Sequence, residues 1–476
     1  MTNPAFLAQM LAAGGDERIR VQPGGTTNRY GASPYPRATL GYSASTANDI
    51  SQAAFAHLEG FVRGWPSGIA LDARAYGDRL DAIRARLASV WGLERGTDIV
   101  VAPSGTDIEF AALALARARG GRPVTNVLLG ADEVGSGCAL AASGCHFSHA
   151  TPVSGPVAPG ARIAGLGDTE LATVALRQAN GRARDCDAIT AEIALLAEAA
   201  IRAGRHVLVH AVHGSKTGLV LPSPAGIDAL RTRFGAALTV VVDACQVRLG
   251  PDELAQWLGR GALVMLTGSK FVGGPPFSGL LLVPPALRPA RALAAGLADV
   301  SLRAEWPPGW PQANQLPKGA NPGLLLRLEA AMFEMERYSA FDAGRRADVI
   351  AAFGRAIAVL ADRLGVPLVA PALAGGALHR STLATLDLSE LPGQPDLAMT
   401  QRWCRVLAAR GLRLGQPVRW RRLADGAWAG NLRISLSMPL IVELAALDDT
   451  ALDTRLMRDM GRIADVLEAA QRPVVA

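Results

Sequence analysis

The sequence predicts an α/β fold with a large, mostly parallel αβα sandwich domain and a smaller α+β C-terminal domain. From residue 51 to about residue 285, helical patterns alternate with short β-rich runs, as in a parallel sheet wrapped by helices. A long helical pattern over residues 324–340 then leads into a region that ends in further helical patterns. We therefore divide the 476 residues into an N-terminal arm (1–50), a large domain (51–310) and a small C-terminal domain (311–476).

Composition limits the class of protein. Half of the residues are hydrophobic and only 19% are charged, which predicts a large buried surface that includes a subunit interface. The sequence has no apolar run of membrane-spanning length and no secretion leader, so we expect a soluble, cytoplasmic protein without membrane contact. The five scattered cysteines fit reduced thiols and no metal site. The net charge of +6 is not gathered into a long basic run, so no nucleic-acid partner is expected.

The arm, which mixes glycine, proline and polar residues, should contain no long regular element. The first informative strand end in the large domain follows residues 100–103. Ser104, Gly105 and Thr106 come next, and residues 108–117 have a helical composition. Free amides at the N-terminus of a helix, together with two hydroxyls, suit a phosphate group. A simple capping turn is the alternative, because Ser-Gly-Thr alone is weak evidence.

Two further strands end in polar groups. The strand at residues 206–210 leads into a glycine-bounded polar turn at residues 214–218. The β-branched run at residues 239–242 ends at Asp243. An acid that leaves an apolar run is costly to bury unless it meets a cation, and a protonated pyridine nitrogen is such a cation. A helix-capping aspartate is the alternative.

Lys270 follows the next apolar run, residues 263–266, and is one of only three lysines among 48 basic residues. Arginine cannot lose its proton and attack a carbonyl, whereas lysine can, so a lysine retained in this chain is a candidate for chemistry. An ordinary loop lysine is the alternative for this segment alone. Together with Asp243, however, Lys270 predicts pyridoxal 5′-phosphate (PLP) as cofactor, because a Schiff-base lysine and an aspartate partner for the ring nitrogen make PLP an electron sink.

In this order the strand ends resemble those of the fold-type I PLP-dependent enzymes. The resemblance is to the class V aminotransferase group, which includes cysteine desulfurases, kynureninase and alanine-glyoxylate aminotransferase. Residues 215–222 are similar to the group's Ser-Ser-Thr-Gly-Val-Leu-Gln-Pro turn, residues 243–246 to its Asp-Ala-Ala-Gln, and residues 268–271 to its Ser-His-Lys-Phe. Residues 433–435 are similar to its Arg-Ile-Ser strand. These ordered motifs span residues 40–450 and imply the fold of a fold-type I PLP-dependent transferase.

The resemblance implies a role for each matching residue. Lys270 would hold the cofactor covalently and then shuttle protons, while Asp243 would keep the pyridine nitrogen protonated. Arg433 would clamp the substrate carboxylate with its two-pronged guanidinium, a surface arginine being the alternative. The other implied cofactor contacts are the ring-oxygen donor Gln246, either Ser215 or Thr217 at the edge of the ring, and the phosphate ligands Ser104, Gly105, Thr106 and Ser269.

The chain departs from the group in two places. Where several members have a histidine stacked on the cofactor ring, this chain has Glu133 and Val134, and we expect one of these two residues to cover that face. Cysteine desulfurases need a nucleophilic cysteine between the lysine and the small domain, and residues 271–403 contain none. Desulfurase activity is therefore not expected.

The resemblance also implies contacts from outside the large domain. In related enzymes an N-terminal arm often reaches an active site, so Arg29, Tyr30 and Arg37 are candidates for substrate contact, with a surface strap as the alternative. The proline- and tryptophan-rich segment at residues 300–320 is similar to one that crosses to the partner subunit. It would bring Asn321 near the partner's cofactor phosphate. We therefore expect a homodimer with its sites at the subunit interface.

These expectations indicate a PLP-dependent enzyme that acts on an amino-acid substrate through an external aldimine, most simply an aminotransferase. A β- or γ-elimination or replacement enzyme stays open, because the motifs do not separate these reactions. A non-catalytic fold-type I binding protein is a further alternative. The retention of Lys270 in a chain so poor in lysine argues against that alternative.

Overall fold

The computed structural model describes residues 4–65, 71–369 and 377–471. Its helices are α1 (Pro4–Leu11), α2 (Gln52–Phe61), α3 (Ala73–Val90), α4 (Ile108–Gly120), α5 (Cys138–Ala142), α6 (Cys186–Arg202), α7 (Pro224–Phe234), α8 (Pro251–Gly259), α9 (Pro322–Ala340), α10 (Ala343–Leu364), α11 (Ala377–Thr382), α12 (Leu397–Ala409), α13 (Met438–Ala445) and α14 (Asp449–Gln471). Its strands are β1 (Leu40–Tyr42), β2 (Asp98–Ala102), β3 (Val124–Leu129), β4 (Glu170–Val174), β5 (His206–His213), β6 (Val220–Leu221), β7 (Leu238–Asp243), β8 (Leu263–Thr267), β9 (Gly279–Val283), β10 (Leu383–Asp387), β11 (Leu412–Leu414) and β12 (Asn431–Ser435).

The large sheet has the strand order β2-β9-β8-β7-β5-β3-β4, with β6 added beside the end of β5. The strands β4, β3, β5, β7 and β8 are parallel, whereas β9 runs antiparallel to both β8 and β2. Every residue of β3, β5, β8 and β9 is buried, and β8 and β9 are accordingly almost continuous apolar runs. The predicted large, mostly parallel α/β sheet is confirmed.

Helices cover both faces of this sheet. Side chains alternate between the two faces of a strand, so neighbouring residues join different cores. Leu208 of β5 and Val241 of β7 pack in the core that contains α4. Val209 and Val240, one position away, pack in the core that contains α6, α7 and α8. The sheet is therefore the middle layer of the predicted αβα sandwich.

Two short strand pairs lie outside the large sheet. β10 and β12 pair antiparallel, which sets Arg433 opposite Thr385. β1 and β11 pair parallel, so the N-terminal arm adds a strand to the C-terminal region. The arm otherwise contains the eight-residue helix α1 and irregular backbone, in agreement with the prediction that it forms no long regular element. Within the described ranges, no helix combines the length and apolar character needed to cross a membrane.

The polar strand ends meet along one edge of the sheet. Ser104 lies two residues after β2, Ser215 two residues after β5, and Lys270 three residues after β8, while Asp243 is the last residue of β7. β2 is antiparallel to β9 and β9 is antiparallel to β8, so all four strands point the same way. Their carboxyl ends therefore converge, which is where open α/β sheets bind ligands.

Candidate active site

A cavity of about 490 Å³ lies against this edge of the sheet. It gathers most of the residues that the sequence singled out, from segments far apart in the chain. Thr217, Asn321, Arg29 and Arg37 do not line it. The predicted residues that do line it are Tyr30, Ser104, Gly105, Thr106, Glu133, Ser215, Asp243, Gln246, Ser269, Lys270 and Arg433.

The turn that begins at Ser104 has the geometry of an anion cradle. Ser104 Oγ accepts the amides of Thr106 and Asp107, each at 3.2 Å, at the start of α4. A Cβ at Gly105 would lie 2.9 Å from Thr267 Cγ2, so only glycine fits without a shift. Burial, together with the neighbouring Asp16, raises the pKa of Asp107 to about 7. This reduces the negative charge that a phosphate would meet here.

Arg18, from the N-terminal arm, lines the same end of the cavity. Its Nη1 donates to Thr106 Oγ1 and its Nη2 to Ser104 Oγ, each at 3.2 Å, while Asp16 forms an ion pair with it at 2.7 Å. The guanidinium also lies between two aromatic rings, with its Cζ 4.7 Å from the Phe147 centroid and 5.0 Å from the Phe277 centroid. Sequence reasoning missed Arg18, because no local pattern connects it to a turn 86 residues away.

Asn321 holds the arm and does not face the cavity of its own chain. Its Oδ1 accepts the Leu324 amide at 3.0 Å, which caps α9, and its Nδ2 donates to the Gly14 carbonyl at 2.9 Å. Gly14 has a φ of +69°, and any side chain there would overlap Asn321. Arg327 donates to the same carbonyl at 3.1 Å. Both residues fix the segment that leads to Arg18, and the predicted contact of Asn321 with a partner's cofactor stays a prediction.

Lys270 and Gln246 both line the cavity. Asn48 Nδ2 donates to the carbonyls of Lys270, at 2.8 Å, and Ser269, at 3.1 Å, which fixes the backbone that carries the lysine. Gln246 Nε2 donates to the Ser45 carbonyl at 3.2 Å. Within the described residues, Gln246 Oε1 is buried and has no hydrogen-bond partner. A buried polar atom without a partner is costly, so this atom favours a polar ligand.

Asp243 accepts the Cys245 amide at 2.9 Å, which aims its carboxylate out of the strand end. A buried ion pair, His210 Nε2 to Glu109 Oε2 at 2.8 Å, lies in the layer behind it. Burial opposes a charged imidazole, but Glu109 and Asp243 outweigh burial and raise the pKa of His210. Both carboxylates therefore lie within electrostatic reach of the His210 imidazole.

The Glu133 carboxylate has three partners. It accepts Arg177 Nε at 2.7 Å, Ser215 Oγ at 2.8 Å and Thr217 Oγ1 at 2.7 Å. The Thr217 hydroxyl is turned toward Glu133, and its predicted contact with the cofactor ring stays a prediction. Val134 is also buried and lines the cavity, and the expectation that Glu133 or Val134 covers a face of the cofactor ring stays a prediction.

Arg433 lines the same cavity. It is only 3% exposed, and it donates to the Gln416 carbonyl at 2.8 Å, the Lys216 carbonyl at 3.2 Å and Thr46 Oγ1 at 3.1 Å. All these acceptors are uncharged, and burial lowers the pKa of Arg433 to about 10. A buried cation that no carboxylate neutralises within the described part of the chain is suited to bind an anion.

The N-terminal arm at Tyr30 and the proline- and tryptophan-rich segment at residues 300–320 differ in their position relative to the cavity. Tyr30 lines the cavity and packs edge-on against Phe277, with 5.6 Å between ring centroids, whereas its neighbour Arg29 is exposed. In the proline- and tryptophan-rich segment, Trp306 and Trp310 are buried in their own chain's core. This segment therefore packs on its own large domain, and its contact with a partner stays a prediction.

No family model and no curated protein matches this sequence. Solved structures do match. Serine palmitoyltransferase from Sphingomonas wittichii is 16% identical over 91% of this chain and 87% of that chain, with a TM-score of 0.52. The cysteine desulfurase of Thermococcus onnurineus is 14% identical over 90% and 95%, with a TM-score of 0.55. Alanine-glyoxylate aminotransferase from Nostoc sp. is 14% identical over 92% and 96%, with a TM-score of 0.54.

The chain has the fold of the fold-type I PLP-dependent enzymes. The resemblance to the class V group, which the strand-end motifs predicted, is confirmed at the level of the fold. The similar structures include a desulfurase, an aminotransferase and a palmitoyltransferase, so the fold is compatible with several reactions.

Proposed function

We propose that this protein is a PLP-dependent enzyme that acts on an amino-acid substrate, most simply as an aminotransferase. The observation that carries the proposal is the position of Lys270, Asp243 and Arg433, which come from three distant segments and line one cavity. An amine, a carboxylate and an unpaired buried guanidinium are the groups that bind a carbonyl cofactor, its ring nitrogen and a substrate carboxylate.

The residues present fit PLP. The cradle at Gly105, which a Cβ would fill, and the hydroxyls of Ser104 and Thr106 would hold the phosphate, with Arg18 as their cationic neighbour. Gln246, which has a buried unpaired Oε1 in the described structure, would face the ring oxygen. When bound, PLP supplies an electron-withdrawing ring that stabilises negative charge at the substrate α-carbon.

The chain's own groups would carry out the proton transfers. Lys270 Nζ would take the proton from the substrate α-carbon and would then deliver a proton to a second carbon atom. It would act as a positioned general base and then as a general acid. The Asp243 carboxylate would hold the proton on the ring nitrogen. Arg433 would bind the substrate carboxylate and so orient the substrate. The bond to be broken would then have the orientation relative to the cofactor ring that the reaction requires.

Product analysis separates the aminotransferase proposal from elimination or replacement. Incubation with a panel of amino acids and a keto-acid acceptor should give a keto acid and a new amino acid in equal amounts. Release of ammonia or of a side-chain group would instead identify an elimination enzyme. A protein whose visible spectrum responds to no amino acid would contradict the enzyme proposal and favour a binding protein.

Arg433→Lys is expected to weaken amino-acid binding about tenfold or more, although the charge is kept, because an ammonium cannot form two parallel hydrogen bonds to a carboxylate. The measurement is the amino-acid concentration that half-saturates the change in cofactor absorbance. Arg419→Lys, at the exposed mouth of the same cavity, is the control and should change that concentration less than about twofold. Equal affinity in Arg433→Lys and the wild type would remove the carboxylate clamp.

We also propose that the active species is at least a dimer. The large apolar fraction of the chain and the resemblance of residues 300–320 to a segment that crosses between subunits support this proposal. Light scattering coupled to gel filtration, at the concentration used for activity, should give a mass of at least twice 49.6 kDa. A fully active species of monomer mass would contradict it.

A further inference from the structure

Two of the chain's three lysines line the same cavity. Lys270 follows β8, and Lys216, in the turn after β5, accepts a hydrogen bond from Arg433 through its carbonyl. In a chain that uses arginine for almost every positive charge, a second lysine beside the first is unexpected. The proposed function assigns Lys216 no role, and the class V motif that this turn resembles has a hydroxyl residue in the corresponding stretch.

Lys216 is held in place through both its side chain and its backbone. Its Nζ donates to the Asp132 carbonyl at 3.0 Å. Its own carbonyl accepts Arg433 Nη1 at 3.2 Å, so the two cationic residues are fixed to each other. The residues on either side of it, Ser215 and Thr217, are both bound to Glu133. The turn therefore holds Lys216 at a definite position beside Arg433 in the cavity.

The positive charges of Lys216 and Arg433 are not balanced by nearby carboxylates. Glu133 is neutralised by Arg177 at 2.7 Å, and Asp132 lies 4.0 Å from Arg419, which is 60% exposed. Neither Lys216 nor Arg433 has a carboxylate within ion-pair distance in the part of the chain that the structure describes. The substrate α-carboxylate would neutralise one of these two cations. One positive charge would be left over.

We propose that the substrate is an amino acid with a second anionic group on its side chain, and that Lys216 binds this group. The inference rests on the proposed function and specifies its substrate class as acidic amino acids. Burial, with help from Arg433, lowers the pKa of Lys216 to about 8, so most of the amine still carries its positive charge at neutral pH. An anion placed beside Nζ favours the charged form and thereby gains affinity.

The test compares acidic amino acids with their neutral isosteres on the cofactor-loaded enzyme. Spectral titrations are run with L-glutamate against L-glutamine, L-aspartate against L-asparagine, and L-cysteate, which shows whether a sulfonate replaces the carboxylate. Wild type should half-saturate at about ten- to hundredfold lower concentration with the acid than with its isostere. Lys216→Gln should remove this preference by weakening only the acids, while Lys216→Arg should retain part of it.

Arg202→Gln is the matched control, because it removes one exposed positive charge at the C-terminal end of α6, outside the cavity. It should keep the wild-type preference. A wild type that prefers neutral amino acids, or a Lys216→Gln variant that loses affinity equally for acids and isosteres, would overturn the inference. Failure of the proposed function looks different, since no amino acid would then change the cofactor absorbance of the wild type. Unchanged absorbance and melting temperature of the holoenzyme show that Lys216→Gln is folded.

Discussion

Lys270→Ala is expected to remove the visible absorbance of the bound cofactor and to lower turnover by about 10² to 10⁴-fold or more, while the fold is kept. The reason is that alanine can neither bond the cofactor nor move the proton at the substrate α-carbon. The backbone of this turn is fixed by Asn48 through main-chain carbonyls, so losing the side chain should leave the turn in place. Absorbance, turnover and circular dichroism measure these effects.

Lys216 provides the matched control for that variant. Lys216→Gln removes the other lysine of the same cavity and should keep the visible absorbance. Borohydride reduction of the wild type, followed by peptide mass mapping, should place the cofactor on the peptide that contains Lys270. A Lys270→Ala protein with unchanged absorbance and activity, or a label on the Lys216 peptide, would refute the assignment.

Asp243→Ala is expected to lower turnover about 100-fold or more and to affect folding far less, because removing one partner of a desolvated charge pair leaves the other uncompensated. Here the pair is the carboxylate and the protonated ring nitrogen, which forms only when cofactor is bound. In the described structure the side chain of Asp243 bonds the nearby Cys245 amide and has no ion-pair partner. The free protein therefore loses little when it is replaced.

Turnover and thermal melting should be measured on Asp243→Ala alongside Asp132→Ala. Asp132 also lines the cavity, but its side chain is 59% exposed, so its loss should leave turnover within about threefold of wild type. Asp243→Ala with near-normal turnover would remove the assigned partner of the ring nitrogen. Turnover lost to the same extent as the folded fraction would show a structural role instead.

The sequence alone predicted the fold class and most of the cavity. Ser104, Asp243 and Lys270 each follow an apolar run that is long enough for a buried strand. Because parallel strands in one sheet place their carboxyl ends on the same edge, these local patterns suffice to bring distant residues together. The order of the strand ends also carried the family resemblance that the solved structures bear out at the level of the fold.

Only the tertiary structure decided the contacts that no strand end encodes. Arg18 reaches the turn at Ser104 because α9 holds the arm through Arg327 and Asn321, which bond to residues more than 300 positions away. Thr217 turns to Glu133, and Lys216 comes to share a cavity with Lys270, through the packing of separate loops. Sequence periodicity reports which face of an element is buried, but the partner of a side chain in an irregular segment depends on where the rest of the chain packs.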